Sequence, residues 1–334
     1  MAGTFNLLGG MTVVGNGTLK VAAITTNSSA NGFTLGSGSQ TATLELGRGG
    51  VMSSTGSPAG TFANNISLSS ANTTLRLNSS FATSASPGVQ TLSGIISGTG
   101  KLVQQGTGRI DLTNANSYTG TTTVSSGTLA LSGSGTTGTG AVTVQNSGTL
   151  LGTGLVRGST FTAQSGSVIH AGEGSLQTSY GTLNFTPTSG SGSFDFQSGS
   201  KIILGINPGG SGDLLNFDGL ASGTLLFNGN LQVTAPAGYV PTSPQTFNLI
   251  DWANVGTLSF ASHFTSNLLR DGSLDDASGF DLPDISGSGY QWDLSQFTTN
   301  GTISVALIPE PGRPLLLLAA IAGLTLRRRR TRPS

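Results

Sequence analysis

Six aspartates (Asp271, Asp275, Asp276, Asp281, Asp284 and Asp293) crowd the stretch from 271 to 293 of a 334-residue chain. Carboxylate oxygens are hard donors of the kind calcium takes, so Asp271, Asp275, Asp276, Asp281 and Asp284 are the calcium candidates. Their spacing lacks the Asp-x-Asp-x-Asp-Gly start of an EF-hand loop, and the stretch reads first as a solvated loop. No metal and no cofactor is expected. The two histidines, His170 and His263, stand in unrelated surroundings and are expected at the surface or in corners. Cys is absent, which removes disulfides and thiolate sites. Cutting a polysaccharide takes clustered acids. Residues 1–190 hold only Glu45, Asp111 and Glu173, widely spaced, while Asp195, Asp213 and Asp218 follow and would matter if the fold brought them together. No Gly-x-Ser-x-Gly elbow occurs, and the Gly-x-Gly pieces have no helix after them to cradle phosphate. The chain is expected not to be an enzyme.

The C-terminus offers a different chemistry, membrane insertion and peptide processing. Ile308-Pro309-Glu310-Pro311-Gly312-Arg313-Pro314 is hostile to helix, and prolines on both sides of Glu310 hold it extended. An uncharged run from Leu315 to Leu326 follows, with Leu315, Leu316, Leu317, Leu318, Ile321, Leu324 and Leu326 as its apolar body. Pro314 suits the first helical position. Twelve helical residues reach about 18 Å, short of the roughly 30 Å hydrocarbon core, and snorkelling arginines with local thinning would close part of the gap. Arg327, Arg328, Arg329 and Arg330 form the cytoplasmic stop expected from the positive-inside bias. The competing reading is a buried core helix with a basic end.

Lys plus Arg equals Asp plus Glu at 14 each, yet the halves differ. Residues 309–334 carry six arginines and one acid, so the tail is basic and the body mildly acidic. Nothing in the body supplies a cationic groove, and no nucleic-acid partner is expected.

These groups need elements to position them. Charged residues make up 8% and Gly numbers 52, with Thr, Ser and Asn abundant, which points to strands between small turn formers. Gly-Thr-Leu begins at Gly17, Gly127, Gly148, Gly181, Gly223 and Gly256, and the 21-residue step from Gly127 to Gly148 suits one solenoid coil. Leu19-Lys20-Val21, Leu44-Glu45-Leu46, Leu75-Arg76-Leu77, Leu129-Ala130-Leu131 and Leu183-Asn184-Phe185 alternate with period two, so each has one apolar face. Such short strands gain a continuous interior by stacking in parallel coils. Gly, Asn and Ser are expected at the corners, often at positive φ, with Asn ladders a further expectation. An antiparallel sandwich or pair of jelly rolls competes; strand length and the recurring tripeptide favour the solenoid. Most aromatics follow residue 190, which predicts a thicker capping end. The boundaries are 1–190 for solenoid repeats, 191–307 for C-terminal coils and cap, and 308–334 for a tail whose helix spans 315–326.

Pro309-Glu310-Pro311, the apolar run and the terminal Arg cluster, in that order, resemble a PEP-CTERM sorting tail. The resemblance implies export, brief anchoring in the inner membrane, and processing near the tripeptide by an exosortase, a membrane-embedded transpeptidase-like cysteine enzyme. Residues 98–129, from Gly98-Thr99-Gly100-Lys101-Leu102 through Asn116-Ser117-Tyr118-Thr119-Gly120 to Gly127-Thr128-Leu129, are similar to the autotransporter-associated β-strand repeat, with Gly138 to Gly154 as its continuation. Gly212-Asp213-Leu214-Leu215-Asn216-Phe217 resembles the strand that follows such repeats. That family implies an all-β, right-handed parallel β-helix passenger on the cell surface. Two departures stand out. No translocator barrel is expected after the Arg-rich tail, and Met1–Gly10 lacks a basic n-region and an apolar core. The expectation is either a true start upstream or a fragment of a longer repeat protein, the repeat-like Val13-Val14-Gly15-Asn16-Gly17-Thr18-Leu19 favouring truncation.

Together these imply a non-enzymatic, exported cell-surface or matrix protein of a Gram-negative-type bacterium. Its expected partners are an exosortase, the inner membrane and extracellular polysaccharide. The alternative is a polysaccharide lyase, hydrolase or adhesin on the same solenoid.

Overall fold

Leu44 and Leu46 are at most 1% exposed in the strand Ala42–Leu46, as period two requires of an inward pair. The structure, a computed structural model, describes residues 11–13, 16–21, 32–36, 39, 41–46, 60–79, 90–172, 180–266, 268–272 and 279–309. Nearly every element is a strand of two to six residues, and the long sheets are parallel throughout.

The chain visits three faces in turn. The first face is a ten-stranded sheet that starts at Gly17–Val21 and Ala42–Leu46, passes Lys101–Gln104, Thr122–Val124 and Val142–Val144, and ends at Thr257–Phe260. The second is a nine-stranded sheet through Arg109–Leu112, Gly127–Leu131, Gly148–Gly152, Val168–Ala171, Lys201–Gly205, Asn230–Thr234 and Phe280–Asp281. The third is split into two four-stranded sheets, one from Met11–Val13 to Ile96–Gly98 and one from Leu155–Val156 to Ile250–Asp251. This is the stacked-coil arrangement of a β-solenoid. Gly127 pairs with Gly148, so the 21-residue step is one coil.

Register stacking builds the core. On the second face Ile110, Leu129, Leu150, Ile169, Ile202, Leu231 and Phe280 occupy successive partner positions, each fully buried. On the outer side of the first face, Lys20, Glu45 and Arg76 are successive partners. Glu45 lies 3.8 Å from Lys20 and 3.5 Å from Arg76, and accepts a hydrogen bond from Asn78. Opposite charges on adjacent strands support this register.

Where the third face lacks strands, side chains bridge the coils. Asn116 Oδ1 accepts from the Ile96 amide, and its Nδ2 donates to the Thr136 carbonyl. Asn216 donates to Asn184 on the neighbouring coil, so a short Asn pair does form. Two polar residues, Gln104 and Thr122, enter the interior of the first face. Gln104 is fully buried and donates to the carbonyls of Gly106 and Gly108, pinning the corner after its strand.

The C-terminal end departs from coil geometry. Gln245–Asn248, Thr302–Leu307, Tyr290–Asp293 and Leu269–Arg270 form a four-stranded antiparallel sheet. An exposed parallel edge is a template for pairing with other chains, and a sheet of different direction ends it. The one described α-helix, Phe297–Asn300, places Phe297 against Trp252, Phe264 and Phe280, with ring centroids 4.8–5.2 Å apart. The expected helix at 315–326 lies outside the described residues.

Candidate functional site

The acids that could have cut a polysaccharide do not converge. Asp195 lies on the first face between Thr162 and Leu226. Asp218 follows the third-face strand Leu214–Asn216 and accepts a hydrogen bond from Asn254. Asp213 is 3% exposed, and both of its oxygens are committed to backbone. Oδ1 accepts from the Gly181 amide at 2.9 Å, and Oδ2 from the Gly205 amide at 2.7 Å. Those bonds tie the chain entering one coil to the end of a second-face strand. Tyr180 closes the group by donating to the Ile206 carbonyl; burial, and secondarily the Asp213 charge, push its hydroxyl pKa up. Asp213→Asn keeps one acceptor and turns a donor toward an amide. The expected loss is about 1.5–3 kcal/mol of stability, the range for a hydrogen bond to a charged group, read as a lower urea midpoint.

Neither histidine stands free in a corner. His170 is mostly buried on the outward side of Val168–Ala171, with Nε2 3.6 Å from Asp213 Oδ2. His263 sits in a short 3-10 turn with Nε2 3.3 Å from the Gly229 carbonyl. Burial holds the His263 pKa below the usual value; Arg270 adds to this, and the Gly229 contact opposes it. The unfolded chain therefore takes up a proton first as pH falls below about 6.5. Stability from this group is present above that pH and declines on acidification toward the folded-state value. His263→Gln should flatten the difference in melting temperature between pH 7.5 and 5.5.

The acidic stretch is only partly a solvated loop. Phe280, Leu282 and Ile285 are buried within it, and Trp292 Nε1 donates to the Pro283 carbonyl. Of the calcium candidates, Asp284 accepts from the Ser286 amide, Asp281 accepts from Gln232, and the Asp271 carbonyl accepts from the Ile285 amide. Asp275 and Asp276 lie outside the described residues. Among the described residues no three metal-binding side chains come together.

One of these acids, Asp281, lines a depression. A cleft of about 470 Å³ opens on the outer side of the second face, lined by Val168, Lys201, Asn230, Gln232, Gly279 and Asp281. Val168, Lys201 and Asn230 are successive register partners, as are Gln232 and Asp281. Gln232 Nε2 donates to Asp281 Oδ2 at 2.7 Å, which fixes both side chains. A Cβ on Gly279 would lie 3.0 Å from Asn230 Oδ1 and 3.1 Å from His263 Nε2, and its φ is +78°, so this part of the lining takes glycine. Lys201, Asn230 and Gln232 escape a sequence reading. Each is a polar residue on the outward phase of a strand, and only register brings them together.

Of the expected tail, Pro309 is described and is exposed, following the exposed Leu307 and Ile308 at the end of Thr302–Leu307. Glu310, Pro311, the apolar residues Leu315 to Leu326 and Arg327 to Arg330 lie outside the described residues. No helix among the described residues is long and apolar enough to cross a membrane.

Residues 102–131 match the family model of the passenger-associated-transport repeat. The match begins in Lys101–Gln104 and ends with Gly127–Leu131, so it falls on stacked strands of the first and second faces. The chain is also similar to an adhesin autotransporter of Brucella suis biovar 1, 32% identical over 169 residues. That alignment covers 51% of this chain and 5% of the relative. The chain thus carries autotransporter-associated repeats, and it spans about a twentieth of the length of the relative it matches.

Proposed function

We propose that this chain is a non-enzymatic, exported cell-surface or matrix rod. Its coils wind right-handed, as parallel crossovers do. Residues 1–190 and 191–307 form its body, and a PEP-CTERM tail from 308 sorts it. The observation that carries this reading is the 169-residue likeness to an adhesin autotransporter, with a passenger repeat on stacked parallel strands. The engagement of Asp213 with two backbone amides also favours a rod over a hydrolase on the same scaffold. Pro309 leaves the body exposed, which suits a tripeptide that a processing enzyme must reach.

In this reading Glu310 between its prolines is the recognition element. Leu315 to Leu326 hold the chain in the inner membrane, Arg327 to Arg330 stop it there, and an exosortase cuts near the tripeptide. The test is expression of the chain behind a secretory leader in a host that carries an exosortase, followed by C-terminal mass spectrometry of the extracellular fraction. A terminus close to Pro309 is expected. An extracellular chain that still ends at Ser334 would contradict processing.

A further inference from the structure

We propose that the cleft on the second face binds a neutral, hydroxyl-rich glycan and does not cut it. Its lining comes from four consecutive strand positions along the coil stack. Strands in a sheet are about 4.8 Å apart, so the cleft runs about 14 Å along the axis. That shape suits a short extended chain better than a single ring, and the cleft's volume is that of a small-molecule site.

The side chains match sugar hydroxyls in kind. Gln232 anchors one oxygen of Asp281 and leaves the other as an acceptor for a hydroxyl proton. The Asn230 amide both donates and accepts, and the Lys201 ammonium donates. Lys201 and Asp281 carry opposite charges, so the lining is neutral in sum and gives an anionic polymer no net attraction. Val168 and the bare backbone of Gly279 offer apolar contact to the ring faces. Among the described residues Asp281 is the sole carboxylate in the lining. Glycoside hydrolysis takes two, one as acid and one as base or nucleophile, so the geometry is that of a receptor.

This inference rests on the exported-rod reading only for the chain's encounter with extracellular glycans. Its test uses purified full-length chain and is independent of sorting. Calorimetric titration with cellohexaose, laminarihexaose and mannohexaose as neutral probes, and hexagalacturonate as the anionic one, should give binding to at least one neutral oligomer. Asp281→Ala and Asn230→Ala should each weaken that binding about tenfold, the scale of one or two lost hydrogen bonds. Val168→Arg, an outward substitution, should block the cleft while the melting temperature stays near that of the parent. Thr143→Ala, on the first face, should leave binding unchanged. The proposal is overturned if no neutral oligomer binds, if only hexagalacturonate binds, if Asp281→Ala and Val168→Arg bind like the parent, or if shortened sugars appear by mass spectrometry.

Discussion

Phe185→Ala should lower the stability of the folded chain by about 3–5 kcal/mol, the range for emptying a large buried aromatic site. Phe185 is fully buried on the third face. It stacks on Phe217 with centroids 4.7 Å apart, and meets Phe161 at 5.0 Å, Phe194 at 5.7 Å and Phe196 at 6.0 Å. Phe161, Phe194 and Phe196 come from two first-face strands and Phe217 follows the neighbouring third-face strand, so none can move into the void without leaving its own column. Urea unfolding followed by circular dichroism would show a lower midpoint, and Phe185→Leu should recover most of the loss. A midpoint shift below about 1 kcal/mol would mean that the aromatic interior collapses freely, contrary to a packed core.

Gly120→Ala should destabilise by about 3 kcal/mol or more, the upper range for overpacking. A Cβ on Gly120 would lie 2.0 Å from the Gly100 carbonyl oxygen and 2.8 Å from that of Thr99. Both are backbone atoms of the coil beneath, so a rotamer change cannot relieve the overlap. Gly140 is placed the same way over Gly120, its Cβ position 2.4 Å from the Gly120 oxygen. The contrast is Gly133, at φ +60° with nothing within 4 Å of its Cβ position. Gly133→Asn should be close to neutral, since asparagine tolerates that conformation. Equal melting temperatures for Gly120→Ala and the parent would show that the coils can separate at this corner.

The two kinds of glycine bear on what could be read from the chain. Positive φ is a local property, and corners such as Gly133, at φ +60°, follow the expectation that turns collect Gly. The demand on Gly120 is not local: it arises from a carbonyl twenty residues earlier. The recurring Gly-Thr-Leu carried similar ambiguity. Its copies open strands on the first face at Gly17, on the second at Gly127 and Gly148, and precede a third-face strand at Gly181. It therefore marks a corner followed by a strand, and two pairs mark a coil period: Gly127 with Gly148, and Gly223 with Gly256, which precede the register partners Thr224 and Thr257.

Charge placement divides in the same way. The sequence placed Lys20, Glu45 and Arg76 each at the centre of an apolar-flanked triplet, and such residues had to share the outward phase of their strands. That they are successive partners, with Glu45 almost fully buried between two cations, depended on coils of unequal length coming into register. Asp213 and Asp281 were visible as acids, but not as a backbone clamp and a cleft wall.

Alternation of apolar and polar residues determined strands that each bury one face, and their brevity, with the recurring Gly-Thr-Leu and glycine-rich corners, favoured parallel stacked coils over an antiparallel sandwich. The enrichment of aromatics after residue 190 determined a bulkier end to the core. Only the tertiary structure decided which outward side chains became neighbours and that the last sheet runs antiparallel. Register between coils is set by how many residues each corner spends, and that number is fixed by contacts with the coil below rather than by the corner's own sequence.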